Sequence, residues 1–109
     1  RIAARGLTEA ERQQLVTWLG SGLPGIQRAA ATLAGATREP KTFGPLIALL
    51  SSADARLRAT AATALGELGD PAALAGLESA RADDDAQVVA AAEAGIARIC
   101  GLDDNASEE

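Results

Sequence analysis

Residues 54–71 read DARLRATAATALGELGDP, a helix with both of its ends written into the sequence. Asp54 stands where a carboxylate can accept a bond from an otherwise unpaired first-turn amide. Leu57, Ala61, Ala64, Leu65 and Leu68 recur at steps of three and four, which places them on one side of a helix. Gly69 can take the left-handed conformation that stops it. Asp70 and Pro71 then open another helix, with proline at the first position, where a missing N–H loses no bond. One helix stops and the next starts within three residues, so the two fold back on each other.

The unit recurs. A shift of 31 residues pairs Pro40 with Pro71, Leu46 with Leu77, Asp54 with Asp85, Leu57 with Val88, Ala61 with Ala92 and Leu65 with Ile96. The opposite shift pairs Leu15 with Leu46, Leu19 with Leu50, Ile26 with Leu57, Ala30 with Ala61 and Gly35 with Gly66. Three copies follow without a gap, at 9–39, 40–70 and 71–101. A fixed period of this length marks stacked repeats, none of which can bury its apolar face alone.

Residues 40–101 resemble HEAT repeats of the short bacterial kind named after phycobilisome (PBS) lyase subunits. The resemblance rests on Asp54-Ala55-Arg56-Leu57-Arg58 leading into Ala64-Leu65-Gly66-Glu67-Leu68-Gly69-Asp70-Pro71, followed by an apolar helix. The third copy keeps Asp85, Val88, Ile96 and Ile99, with Cys100 and Gly101 in place of the Gly-Asp ending. The first is weaker, with Leu23 at the Asp position and Pro24 beside it. The resemblance implies an all-α fold: a right-handed α-solenoid of three HEAT-like helix pairs, six helices in all. It says little about activity, because one fold hosts many roles.

Alanine supplies much of the apolar content, with one Trp, one Phe and no Tyr among 109 residues. Alanine favours helix and lets helices approach closely, whereas large pockets need bulkier walls. The net charge of −5 argues against a nucleic-acid platform, which needs clustered Lys and Arg. One cysteine cannot form an internal disulfide, and this points to a reducing, cytoplasmic setting. No apolar run approaches the ~20 residues of a membrane span, and no signal peptide is visible. The absence of an initiator methionine leads us to expect a processed chain or a piece of a longer multi-repeat or multidomain protein.

Residues 1–8 form a lead-in. Arg1-Ile2-Ala3-Ala4 is similar to Arg98-Ile99-Cys100, which reads either as the stub of an upstream repeat or as a frayed terminus. Thr8 and Glu11 form a capping box for helix 1, which runs to about Leu19. Helix 2 is expected from Pro24 to about Ala34, helix 3 from Pro40 to Leu50 with Pro45 delaying or bending its start, helix 5 from Pro71 to about Ala82, and helix 6 from Ala86 to about Cys100. Trp18, aligned with Leu49 and Ala80, is expected to pack beneath the first repeat rather than to anchor an interface. Glu78 and Arg81 replace Ile47 and Leu50 of the preceding copy, so that side of the third repeat should meet water as a partial cap. Residues 102–109 read as an acidic tail.

Catalytic chemistry finds no foothold. There is no His to act as a base or metal ligand. Cys100 lacks such a partner and is expected to be a packed thiol. Asp83-Asp84-Asp85 lacks the glycine and downstream Glu of a calcium loop, and reads instead as acid at the positive end of helix 6. Ser51 and Ser52 have no nucleophile elbow. Gly66 and Gly69 read as helix-ending glycines rather than a phosphate loop. No cofactor is implied.

What remains is surface. Turning Leu57, Ala61, Ala64 and Leu68 inward points Arg56, Ala59, Thr63 and Glu67 outward at 100° per residue. The family resemblance implies that second helices line the concave side. Across the copies, the candidate partner-binding residues are Arg28, Thr32, Arg56, Thr63, Glu67, Gln87 and Arg98. Arg58 sits at the edge of the buried stripe, where bridging to a neighbouring repeat is expected. The leading reading is a non-catalytic protein-interaction module. An enzyme subunit of the bilin lyase kind lacks chemical groups, and a groove like that of HEAT-like DNA glycosylases conflicts with the acidic charge.

Overall fold

Thr8, Asp54 and Asp85 each cap a helix with their own side chains, and the fold follows from these starting points. Thr8 Oγ1 accepts from Glu11 N at 3.1 Å while Thr8 N donates to Glu11 Oε1 at 2.8 Å, closing the capping box. Asp54 Oδ1 accepts from Arg56 N and Leu57 N, and Asp85 Oδ1 from Gln87 N and Val88 N. The computed structural model describes residues 8–101, so both the lead-in stub and the acidic tail lie outside the described residues. Among them the helices are α1 (Glu9–Leu19), α2 (Pro24–Thr37), α3 (Phe43–Leu49), α4 (Ala55–Leu68), α5 (Leu74–Ala80) and α6 (Ala86–Cys100), with no strand.

The first helices of the second and third repeats start differently from expectation. Pro40–Thr42 and Pro71–Ala73 are 3-10 turns that run into α3 and α5. The cause is the same in each. Glu39 Oε2 accepts from Lys41 N at 2.8 Å, Asp70 Oδ1 accepts from Ala72 N at 2.9 Å, and proline at the first position fixes the turn. Thr42 and Ala73, one period apart, are both fully buried beneath these turns. Pro45 falls within the first turn of α3, where its missing N–H is tolerated.

Helix ends also follow the period. Arg38 (φ 55°) ends α2 and Gly69 (φ 74°) ends α4, both left-handed. The α6 helix runs one residue further, to Cys100, because the first residue that adopts this conformation without a Cβ penalty is Gly101 (φ 71°). Helix α2 reaches Thr37, beyond the expected Ala34, because the chain turns only at Arg38.

Each pair packs on itself, α1 on α2, α3 on α4 and α5 on α6, and the second helices pack in sequence, α2 on α4 and α4 on α6. Leu15, Leu46 and Leu77, spaced by one period, are buried in the first helices. Ala30, Ala61 and Ala92 do the same in the second helices. Leu57 and Leu65 are buried as expected, whereas Leu68 at the end of α4 is only half-buried.

Four expectations are corrected. Gly66 does not end a helix; it lies inside α4 and lets α6 approach. Trp18 is 40% exposed rather than packed beneath the first repeat, with no described helix covering its side of α1. Cys100, in the last turn of α6, is exposed rather than packed. The α5 helix stops at Ala80, short of Ala82, where Arg81, Ala82 and Asp83 continue as single turns.

Candidate partner-binding face

The residues just ahead of the second helices do one job three times. Ser21 Oγ accepts from Leu23 N at 3.2 Å, Ser52 Oγ from Asp54 N at 3.1 Å and Asp83 Oδ1 from Asp85 N at 2.9 Å. These three positions are 31 residues apart, and each side chain turns the backbone into the next cap. In the third repeat the serine has become an aspartate, which adds a charge. Arg58 Nε lies 2.8 Å from Asp83 Oδ2, Arg58 Nη2 donates to Asp83 Oδ1 at 3.1 Å, and Arg58 Nη1 donates to Ser52 O at 2.7 Å. Their side chains are only 19% and 16% exposed. The Arg58 fork holds the Asp83 carboxyl below its ordinary range, with the Asp85 amide adding to the effect, and Asp83 raises Arg58 in turn. Arg58 therefore bridges repeats two and three, as its place at the edge of the stripe led us to expect.

With the caps in place, the starts of α2, α4 and α6 surround an open polar hollow of about 340 Å³. Its walls are Arg28, Asp54, Ala55, Arg56, Asp85 and Gln87. Both aspartates are occupied by backbone amides. The Arg28 and Arg56 side chains make no ion pair among the described residues. Two guanidiniums without an ion pair and a carboxamide share this space with the two capping carboxylates, so the lining is formally neutral and the guanidiniums are its groups able to take up a further carboxylate.

The other sequence-selected residues do not line this hollow. Thr32 and Thr63 are exposed, but each hydroxyl donates to the carbonyl one turn back, to Arg28 O and Ala59 O. Glu67 is half-buried and its carboxylate lies over Gly35 of α2. Arg98 is exposed near the end of α6, on the far half of the face. The structure thus brings Arg28, Arg56 and Gln87 together and leaves Thr32, Thr63, Glu67 and Arg98 outside. Asp54 and Asp85, which sequence reading used only as caps, complete the hollow; their 31-residue spacing was the available signal.

The first-helix side differs in its electrostatics. Lys41 Nζ lies 2.9 Å from Glu9 Oε2, and Arg12 pairs with Glu9 at 3.2 Å and stands 3.8 Å from Glu39. The bonds from Lys41, Gln13 and Arg12 hold the Glu9 carboxyl down to about 2. Arg81 pairs with Glu78 at 3.1 Å and stands 3.8 Å from Glu93. Cations on that side are matched internally.

Among the described residues no group of His, Cys, Asp and Glu could hold a metal ion, and no helix is long and apolar enough to cross a membrane. No curated protein matches the sequence. A family model described as HEAT repeats matches residues 12–97. HEAT repeats generally act as protein-interaction modules and are typically non-catalytic. The matched span covers all six helices nearly end to end, and the chain belongs to the HEAT repeat family.

Proposed function

We propose that this chain is a non-catalytic module that binds an acidic segment of a partner protein along its second-helix face. The hollow between Arg28, Arg56 and Gln87 is the anchor point. The observation that carries this reading is the contrast in pairing. Arg12, Lys41 and Arg81 on the first-helix side are engaged by Glu9, Glu39, Glu78 and Glu93, whereas Arg28, Arg56 and Arg98 have no ion-pair partner among the described residues. A carboxylate entering the hollow can pair with two guanidiniums without displacing an internal pair, against the repulsion of the Asp54 and Asp85 charges that share it.

The net charge of −5 opposes an acidic partner at long range. At physiological salt that repulsion is screened beyond roughly 8 Å, so the local arrangement of the guanidiniums decides the contact. The reading extends to a longer multi-repeat or multidomain protein in a reducing, cytoplasmic setting, where an exposed single thiol such as Cys100 persists.

The test is a combined Arg28→Glu, Arg56→Glu and Arg98→Glu variant, matched to the parent chain in helicity and melting and then used to capture the parent's partner. Loss of capture is expected. Full-strength capture by the folded variant would reject this face, and the first-helix side with Arg12, Lys41 and Glu78 would be examined next.

A further inference from the structure

The hollow at the starts of α2, α4 and α6 carries both signs of charge. From the first repeat to the third its lining reads Arg28, then Asp54 and Arg56, then Asp85 and Gln87, so the sign alternates. Among the described residues none of these charges is held in an ion pair. Arg58, the cation that feels both Asp54 and Asp85, is committed elsewhere, to Asp83 and to Ser52 O.

Each aspartate uses only one oxygen for its helix. Asp54 Oδ1 takes the amides of Arg56 and Leu57, and Asp85 Oδ1 takes those of Gln87 and Val88. Neither Oδ2 is bonded among the described residues. A carboxylate has room for several donors, so capping leaves each aspartate with its charge and one unengaged oxygen.

This alternation discriminates among partner segments. A run of acidic residues pairs with Arg28 and Arg56 but sets its further carboxylates beside Asp54 and Asp85, where like charges repel. A run of basic residues pairs with the aspartates and is repelled by the guanidiniums. An acidic residue next to a basic one satisfies both sets. Its carboxylate goes to the guanidiniums, and the neighbouring cation goes to the unengaged Oδ2 atoms.

We infer that the partner segment is of mixed charge, with a basic side chain beside the carboxylate that enters the hollow. This rests on the reading of the second-helix face given above and narrows it. Asp54 and Asp85 then have two roles each, capping through Oδ1 and recognition through Oδ2.

The experiment titrates the 109-residue chain into labelled peptides of equal length at physiological salt and reads fluorescence anisotropy. One peptide alternates Glu and Lys, a second alternates Glu and Gln, and a third is Glu throughout. The Glu–Lys peptide should bind about fivefold tighter than the Glu–Gln peptide, the size of one exposed charge pair, and the all-Glu peptide should bind no better than Glu–Gln. Asp54→Asn with Asp85→Asn keeps the caps, since asparagine caps as well as aspartate, and should erase the preference for lysine. Glu78→Gln with Glu93→Gln makes the same change in net charge outside the lining and should preserve it. Equal binding of the Glu–Lys and Glu–Gln peptides by the parent chain would overturn the inference. So would a preference that survives the asparagine variant or disappears in the glutamine control. Arg28→Glu with Arg56→Glu tests the underlying reading separately. Glu–Lys binding that ignores this change rejects the face itself, whereas arginine-dependent binding without a preference for lysine rejects only the mixed-charge inference. Absence of binding by all three peptides rejects both.

Discussion

Gly66 of α4 faces Gly95 of α6 so closely that a Cβ placed on Gly66 would stand 2.6 Å from the Gly95 Cα. That is backbone against backbone, and no flexible side chain can yield. Gly66→Ala should therefore separate the second and third repeats and cost about 1–3 kcal/mol, the range for overpacking a core. Gly25→Ala is the control, since nothing lies within 4 Å of its missing Cβ in α2 and no proline follows it. It should stabilise by ~0.4–1 kcal/mol by restricting the unfolded chain. Denaturant unfolding of both variants checks the pair; equal effects would remove the special role of the Gly66–Gly95 contact.

Leu65 is fully buried in the middle repeat, where repeats on either side prevent collapse around a cavity. Leu65→Ala should cost about 2–5 kcal/mol. That is a large share of the ~5–15 kcal/mol of a typical domain, so thermal melting should detect it easily. An unchanged melting temperature would contradict this burial.

The period, the caps at Thr8, Asp54 and Asp85, and the buried stripe through Leu57 and Leu65 were all legible because each is set by local sequence and helical geometry. Trp18 was misplaced because its burial depends on a neighbouring helix, which its own repeat does not specify. Gly66 was misread because glycine serves both helix ends and close crossings, and only the position of α6 separates the two. The hollow went unread for a similar reason. Arg28 is three residues out of register with Arg56 and Gln87, and only packing brings the three together.

The link between Arg58 and Asp83 should make the joint between repeats acid-sensitive. Both Asp83 and Glu9 are held below their ordinary ranges, so the native state binds fewer protons than the unfolded chain as pH falls. Their contributions are complete above the unfolded-state values and disappear through the folded ones. For Glu9 the window runs from 4.5 to about 2, and for Asp83 it runs downward from 3.8. Asp83→Asn should melt lower than the parent at neutral pH, and the difference should shrink below pH 3.8. Melting curves across that range check the sign; a difference that does not change with pH would show that the pair does not titrate with folding.

Arg38 ends α2 in the left-handed conformation, φ 55°, where the following repeats use Gly69 and Gly101. A side chain there costs roughly 1–2 kcal/mol relative to the ordinary helical region. Its backbone N–H bonds to Ala34 O and Gly35 O do not need the side chain. Arg38→Gly should therefore stabilise by about 1 kcal/mol, offset in part by the greater freedom of glycine in the unfolded state. A lower melting temperature would mean that the Arg38 side chain contributes more than its conformation costs.

The hollow divides the three arginines of the proposed binding face into unequal sets. Arg28 and Arg56 line it together with Gln87, whereas Arg98 stands near the other end of α6. A partner carboxylate in the hollow would engage the first two at once. Arg28→Glu with Arg56→Glu should thus weaken partner binding as much as the triple variant does, while Arg98→Glu alone should change it little. An exposed charge acting singly contributes ~1 kcal/mol or less. Raising the salt concentration should weaken parent binding more than that of the double variant, because only the parent retains the local attraction. Binding isotherms of the single, double and triple variants at two ionic strengths separate these cases. If Arg98→Glu alone abolishes binding while the double variant retains it, the partner lies on the far half of the second-helix face and the hollow is not its anchor.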